Sequence, residues 1–492
     1  MKTSEVILWI AVAVALAANI WLPRHLNQRY SWERDLSQRY AVDFCRTDKE
    51  VKEYIQRYIP DVTDGQIAAW TESGALESMV IGKRTMYFRN AAPNLFRCVP
   101  ELKTIKDSVD RENDPDLSKT GTSLSGHEAI DARTIPAIKE AVSGALMPPG
   151  RVHPRSAAAE YAPEASASQD GSVIPGLTGD PYLALPKRMR VRFSLTVPVN
   201  TLRPGKTLRC WLPYPRADFT RQTDIKFIEA GVDSTAYPAD QVIFSDPSCA
   251  HSSLYMEAKA KRYHDITFYE VFEYTSSGEW HPIDPDLVLT YDTSTEEYKE
   301  CTSEREKHII FTPRIKALAD SLSAGIENPY LQAKAFYTWI DDNFPWASAR
   351  EYSTIENIPE YVLSTGHGDC GQKTLLFMTL CRYKGIPTRW QSGLMMHPGA
   401  RNLHDWCEAY FEGYGWVPVD QSFGVTPYGG YFFLGGIEPY RLIVNNDFGR
   451  GFSPAKEYPR SDTVDFQRGE VEWEGGNLYY NQWDYDFRVE YL

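Results

Sequence analysis

Cysteine is scarce, with eight in 492 residues and no Cys-x-x-Cys pair, and so few cannot hold together a disulfide-built scaffold of this length. Positive charge is also short: 52 Lys plus Arg stand against 66 Asp plus Glu, a net charge of −14. That balance argues against a nucleic-acid binder, which needs a basic face to meet phosphates. No repeat of fixed period is found. The chain is 42% hydrophobic and 24% charged, which excludes a disordered or collagen-like polymer. Its length implies about three domains. The 30 Tyr and 13 Trp suit a large core or a stacking surface.

Long apolar runs are lacking, except at the N-terminus. Between Val6 and Leu22 the only polar residue is Asn19; Lys2 precedes the run, and Arg24, His25 and Arg29 follow it. The run fits a secretory signal, with Ala15-Leu16-Ala17 as a small-x-small cleavage site, or an uncleaved membrane anchor. Either reading places the rest of the chain outside the cytoplasm, where thiols can pair. Cys45 with Cys98, and Cys210 with Cys249, are the disulfide candidates.

Organisation follows from periodicity. Residues 30–110 read as a helical N-terminal region: Val51, Tyr54, Ile55 and Tyr58 recur at helical spacing, and Thr63 to Gln66 forms a capping-box pattern. Residues 111–184 are rich in Asp, Ser, Ala, Pro and Gly and read as linker or loop, with a short helix at Ile135–Val142. At Arg188 the pattern becomes alternation, with Met189, Val191, Phe193, Leu195 and Val197 on one face. Further short strands at Leu208–Leu212, Ile225–Ile228, Leu254–Lys259 and Ile266–Tyr274 predict an all-β sandwich over 185–290.

The block 300–450 mixes both periods. Helices are expected at Arg314–Ser323, Tyr330–Phe344 and Gly371–Lys384, the last stopped by Gly385 and Pro387. Strands follow at Thr388–Leu394, Asp405–Phe411 and Trp416–Asp420, with a hairpin turn at Glu412–Gly415. Residues 451–492 are left as a C-terminal extension.

The chemistry concentrates in this block. Cys370 lies between glycine-bearing flanks, Gly368-Asp369 and Gly371, at the start of an apolar helix. Amides at a helix N-terminus favour a thiolate, and the Cys370 N–H suits a developing oxyanion. A thiolate nucleophile needs a base and a group that orients it. His404 opens one strand of the hairpin and Asp420 closes the other, so both fall at the same end. The faces they present depend on register, which the sequence leaves open. A zinc site built from His367-x-x-Cys370 and His404-x-x-Cys407 competes. However, His404 and Cys407 stand three apart on a strand and therefore point to opposite faces. No metal and no cofactor are expected.

The segments "GHGDCGQKTLLFMTLCRYKGIPTRWQSG", "HDW" and "YGWVPVDQSFG", in that order, resemble the transglutaminase-like superfamily of papain-type cysteine enzymes over about residues 310 to 450. The resemblance implies an α+β fold: a papain/transglutaminase-like core, here preceded by the β-sandwich and the helical N-terminal region. It implies Cys370 as nucleophile, His404 as general base and acid, and Asp420 as the group orienting His404. An aromatic upstream of the cysteine helps bind the oxyanion in animal relatives; Trp346 and Tyr352 are the candidates here. The absence of a recognisable calcium site departs from the crosslinking relatives. The expected activity is therefore hydrolysis of a peptide or protein amide by an exported, periplasmic or membrane-anchored peptidase or amidohydrolase. The competing reading is a catalytically idle protein of the same fold that binds peptide or glycan.

Overall fold

A computed structural model describes residues 36–113, 126–146, 180–237 and 239–492. The apolar run at Val6–Leu22 lies outside these residues. Among the described residues no helix is long and apolar enough to cross a membrane. The chain divides between Ile105 and Lys106 into two compact units.

The first unit contains α1 (Asp48–Gln56), α2 (Asp64–Glu72), the hairpin β1 (Ser78–Ile81) with β2 (Arg84–Tyr87), and α3 (Ala91–Cys98); α4 (Pro100–Asn113) follows. Thr63 caps α2 through a capping box with Gln66, as its sequence pattern requires. Val51, Ile55, Phe88, Leu95 and Phe96 close its core.

The second unit holds the rest. The stretch read as linker contains a 21-residue helix, α5 (Gly126–Leu146). Ile135, Ile138 and Val142 on this helix are fully buried. Their i, i+3, i+7 spacing gives a sticky stripe that the polar composition around it conceals. Two antiparallel sheets make the sandwich. One has the order β17 (Asp484–Tyr491), β3 (Leu183–Val197), β9 (Ile266–Trp280), β5 (Gln222–Val232), β6 (Thr235–Tyr237). The other has the order β16 (Gly476–Leu478), β15 (Glu470–Trp473), β4 (Thr207–Pro213), β8 (Ser253–Lys259), β7 (Ile243–Phe244). The C-terminal extension thus supplies three of the sandwich strands. Tyr485 pairs with Leu195 and Val489 with Val191 along the β3 edge, so the last strand covers backbone that would otherwise be an open edge.

The remaining helices are α6 (Glu296–Thr302), α7 (Pro313–Leu322), α8 (Pro329–Asn343), α9 (Ile358–Thr365) and α10 (Cys370–Tyr383). They accompany a four-stranded antiparallel sheet of order β12 (Gly415–Val419), β11 (Asn402–Phe411), β10 (Thr388–Met395), β14 (Arg441–Asn445), while β13 (Gly436–Ile437) pairs with β9. Helix α10 is buried from Gly371 through Arg382, because α8 and α9 cover one side and β11 the other. Cys407, Ala409 and Phe411 of β11 share that helix-facing core with Leu375, Leu376 and Phe377. Trp406 belongs to a separate cluster with Ile437 and Ile443 on the opposite face. The fold is α+β, with several antiparallel sheets and the buried helix α10 at the centre of the helical part.

All eight cysteines are free thiols, so the expected pairs Cys45–Cys98 and Cys210–Cys249 are not formed. Cys210 is fully buried in the sandwich core, while Cys249 lies in the loop before β8 and is only partly buried.

Candidate active site

Helix α10 begins on a capping box. The Asp369 carboxylate accepts from the Gln372 N–H at 3.0 Å, and Gln372 Oε1 accepts from the Asp369 N–H at 3.2 Å. This fixes Cys370 as the first helical residue. Its thiol donates to Asp405 Oδ2 at 3.3 Å. Asp405 is on the face of β11 that looks at the helix, in register with Cys407, Ala409 and Phe411.

The helix N-terminus leads one to expect a thiolate. The structure reverses that expectation: burial first, then Asp405 and Asp369, push the Cys370 thiol well above its ordinary range. A helix end contributes only about 0.3–1 kcal/mol, which two adjacent carboxylates and desolvation outweigh.

His404 and Asp420 do meet. His404 Nε2 donates to Asp420 Oδ2 at 2.7 Å; the other ring nitrogen, Nδ1, is then the basic one. Three contacts seat Asp420: Ser422 N–H donates to Oδ1 at 3.0 Å, Tyr337 Oη–H donates to its backbone carbonyl at 3.0 Å, and Arg441 lies 2.9 Å from Oδ2. Burial alone would raise the Asp420 carboxyl, yet His404 and Arg441 hold it below the usual carboxylate range. Burial also lowers His404 despite its anionic partner, so the imidazole is neutral. The chain of charges continues from Arg441 to Glu438 and from Glu438 to His397 at 2.9 Å. Asp420, Arg441 and Glu438 are each 0% exposed.

Among the described residues, no hydrogen bond joins Cys370 to this pair. His404 stacks toward Trp406, at 6.1 Å between ring centroids, on the face of β11 opposite Asp405 and Cys370. Alternation along the strand makes this unavoidable once Asp405 faces the helix. The same alternation separates His404 from Cys407, so the four residues of the zinc reading do not converge.

Of the two upstream aromatics, Tyr352 reaches the site. Its hydroxyl donates to Asp369 Oδ1 at 2.6 Å. Trp346 is 43% exposed, and its neighbour Ala347 donates its N–H to the Gly368 carbonyl at 3.2 Å, beside the start of α10.

Residues that escaped the sequence reading complete the surroundings. Gln467 Nε2 donates both to Asp405 Oδ1 and to the His404 carbonyl, each at 2.7 Å. Asp405 lies beside Asp465, and burial, then this neighbouring carboxyl, push Asp405 well above the usual carboxylate range. Asp465 also receives Asn445 Nδ2 at 3.0 Å, Phe466 N–H at 2.7 Å and the Ser392 hydroxyl. Burial raises Asp465 to about 6 and Asp369 to about 6. One signal for Asp405 was present: a charged residue at a strand position whose parity is otherwise apolar. Asp465 and Gln467 carried none.

Residues 316–421 match the model of the transglutaminase-like superfamily, and this stretch is a transglutaminase-like domain. The uncharacterized protein YebA of Bacillus subtilis is 25% identical over 131 residues, 23% of this chain and 18% of that protein; the match therefore spans less than a fifth of its length. Among solved structures, a candidate cysteine protease from Cytophaga hutchinsonii is similar at 15% identity and TM-score 0.41, covering 63% of this chain and 92% of that one. The periplasmic domain of TgpA from Pseudomonas aeruginosa is similar at 16% identity and TM-score 0.27, covering 50% of this chain and 91% of that domain.

Proposed function

We propose that this chain is an exported cysteine hydrolase that cleaves peptide or protein amides through an acyl-enzyme on Cys370. The observation that carries the reading is the order within the transglutaminase-like stretch: a cysteine opening the central helix, followed on the adjoining sheet by a histidine hydrogen-bonded to an aspartate at 2.7 Å. In the reaction the Cys370 sulfur attacks the amide carbonyl. An S–C bond forms, the C–N bond breaks, and the thiol proton ends on the leaving amine by way of His404. Water then releases the acid and restores the thiol. Asp420 keeps His404 in the tautomer whose Nδ1 is free. The reading makes a geometric demand: sulfur and imidazole must come together on substrate binding, since at rest the thiol faces Asp405.

The test is single-turnover acylation by an activated thioester or amide, followed by mass analysis of the Cys370 peptide. A parallel screen covers peptides, glutamine donors and cell-wall fragments. An acyl adduct on Cys370 that decays in water supports the reading; no adduct with any acyl donor removes it. The resting contact of Cys370 with Asp405 favours a second reading, an idle binding module, which expects stoichiometric retention of a peptide or glycan without any adduct.

Export rests on the apolar run at Val6–Leu22. Residues 1–30 fused to a reporter that works only outside the cytoplasm are expected to give activity. A silent but well-expressed fusion would refute it.

A further inference from the structure

The described contacts of the Cys370 sulfur point to a carboxylate rather than to an imidazole. Sγ–H donates to Asp405 Oδ2 at 3.3 Å, while Oδ1 of the same group is taken by Gln467. Asp465, itself fixed by Asn445 and the Phe466 N–H, is a neighbour of Asp405. The residue after the nucleophile makes room for this arrangement. A Cβ at position 371 would lie 2.6 Å from Asp405 Oδ2 and 2.4 Å from the Tyr352 hydroxyl, so only Gly371 permits that carboxylate to approach the helix start.

We propose that Asp405, held by Gln467 and neighboured by Asp465, both of the segment preceding β15, accepts the Cys370 S–H and holds it as an unreactive thiol at rest. The inference deepens the reading of Cys370 as the nucleophile and adds a residue that touches the reacting sulfur. Burial raises both Asp405 and its neighbour Asp465, yet the pair keeps a negative charge beside the sulfur, which stabilises the protonated thiol that donates to Asp405 and repels the thiolate. The other ionisable groups around the sulfur do not cancel this. Its own helix contributes Asp369 and Lys373, and the Lys373 ammonium is turned to the Phe344 carbonyl at 3.4 Å. The turn at 352–354 contributes Tyr352, bonded to Asp369. The segment before β15 contributes Asp462, Asp465 and Arg468, the last paired with Glu351 at 3.6 Å. His404 faces away.

The experiment is the pH dependence of iodoacetamide alkylation in the full chain, read by mass at the Cys370 peptide. Alkylation forms an S–C bond, expels iodide and needs the thiol proton to leave to solvent. The unmodified protein is expected to react slowly at pH 7, with an inflection above the ordinary thiol value of about 8.5. Asp405→Asn is expected to move that inflection down by about one pH unit or more, raising the rate at pH 7 by about tenfold. Asp465→Asn removes the neighbour that raises Asp405, so a charge stays on Asp405 and the variant is expected to react no faster than the unmodified protein. Cys381 and Cys407, both fully buried, report on opening of the fold: they must stay unmodified in Asp405→Asn. An Asp405→Asn profile that coincides with that of the unmodified protein, or shows slower alkylation, overturns the proposal. So does Asp465→Asn accelerating as much as Asp405→Asn. If the profile shifts as expected while no variant forms an acyl adduct, Asp405 retains this role and the hydrolase reading falls. If the unmodified protein acylates and the profile does not move, the reverse holds.

Discussion

Cys370→Ala is expected to abolish acyl transfer, lowering single-turnover acylation by roughly 10⁴-fold or more. The substitution removes the sulfur at the start of α10 and leaves the Asp369 cap untouched, so folding is preserved. His404→Ala is expected to act on a similar scale, because on this reading His404 carries the proton to the leaving amine. The two together are then hardly worse than either alone, since groups that serve one step are not additive. Asp420→Asn keeps the shape but can stabilise the wrong imidazole tautomer, and about 10²- to 10⁴-fold is expected. Cys407→Ser is the control. Cys407 is fully buried against α10, so the hydroxyl costs roughly 1–3 kcal/mol of stability while the folded enzyme keeps its rate. If His404→Ala acylated normally and Cys407→Ser in folded protein did not, His404 would be excluded as the base.

Arg441→Met is expected to be the most destabilising single change in the core. Arg441 stands between Asp420 and Glu438, and all three are 0% exposed. Breaking such a cluster by removing the cation leaves two buried carboxylates facing each other, at a cost of about 3–5 kcal/mol. The midpoint of urea unfolding should fall with its slope unchanged. The pH dependence should change sign as well. In the native protein both carboxyls are held below their usual range. Their contribution is therefore full above the unfolded carboxylate range near pH 4 and is lost as pH falls through the lowered values. Without Arg441 the same groups are raised, so the variant should gain stability as pH falls from 7 toward 5. Arg441→Met combined with Glu438→Gln removes one charge of each sign and should recover part of the loss. An Arg441→Met protein that unfolds at the native midpoint would show that water already screens the cluster.

Much of this protein was legible in the chain alone because the governing interactions are local. Alternation at Met189–Val197 fixes a half-buried strand, Thr63 with Gln66 fixes a helix start, and Gly385 with Pro387 ends α10 one turn after its apolar stripe. The order of Cys370, His404 and Asp420 around a short hairpin is also local. Register pairs Cys407 with Val419, which brings His404 and Asp420 to one end and one face. Tertiary structure alone decided what lies across long separations. A period of two says that residues 404 and 405 face oppositely, but not which of them looks at the helix. That depends on where α10 packs, and packing gave Asp405 to Cys370 and His404 to Trp406. The meeting of Asp405 with Asp465, of Arg441 with Asp420, and of Val489 with Val191 joins segments that no periodicity links. Burial drew them together, and desolvated charges then required partners. The reactivity of Cys370 followed from the same cause: a helix start favours the thiolate, while the carboxylates that the fold set beside it favour the thiol.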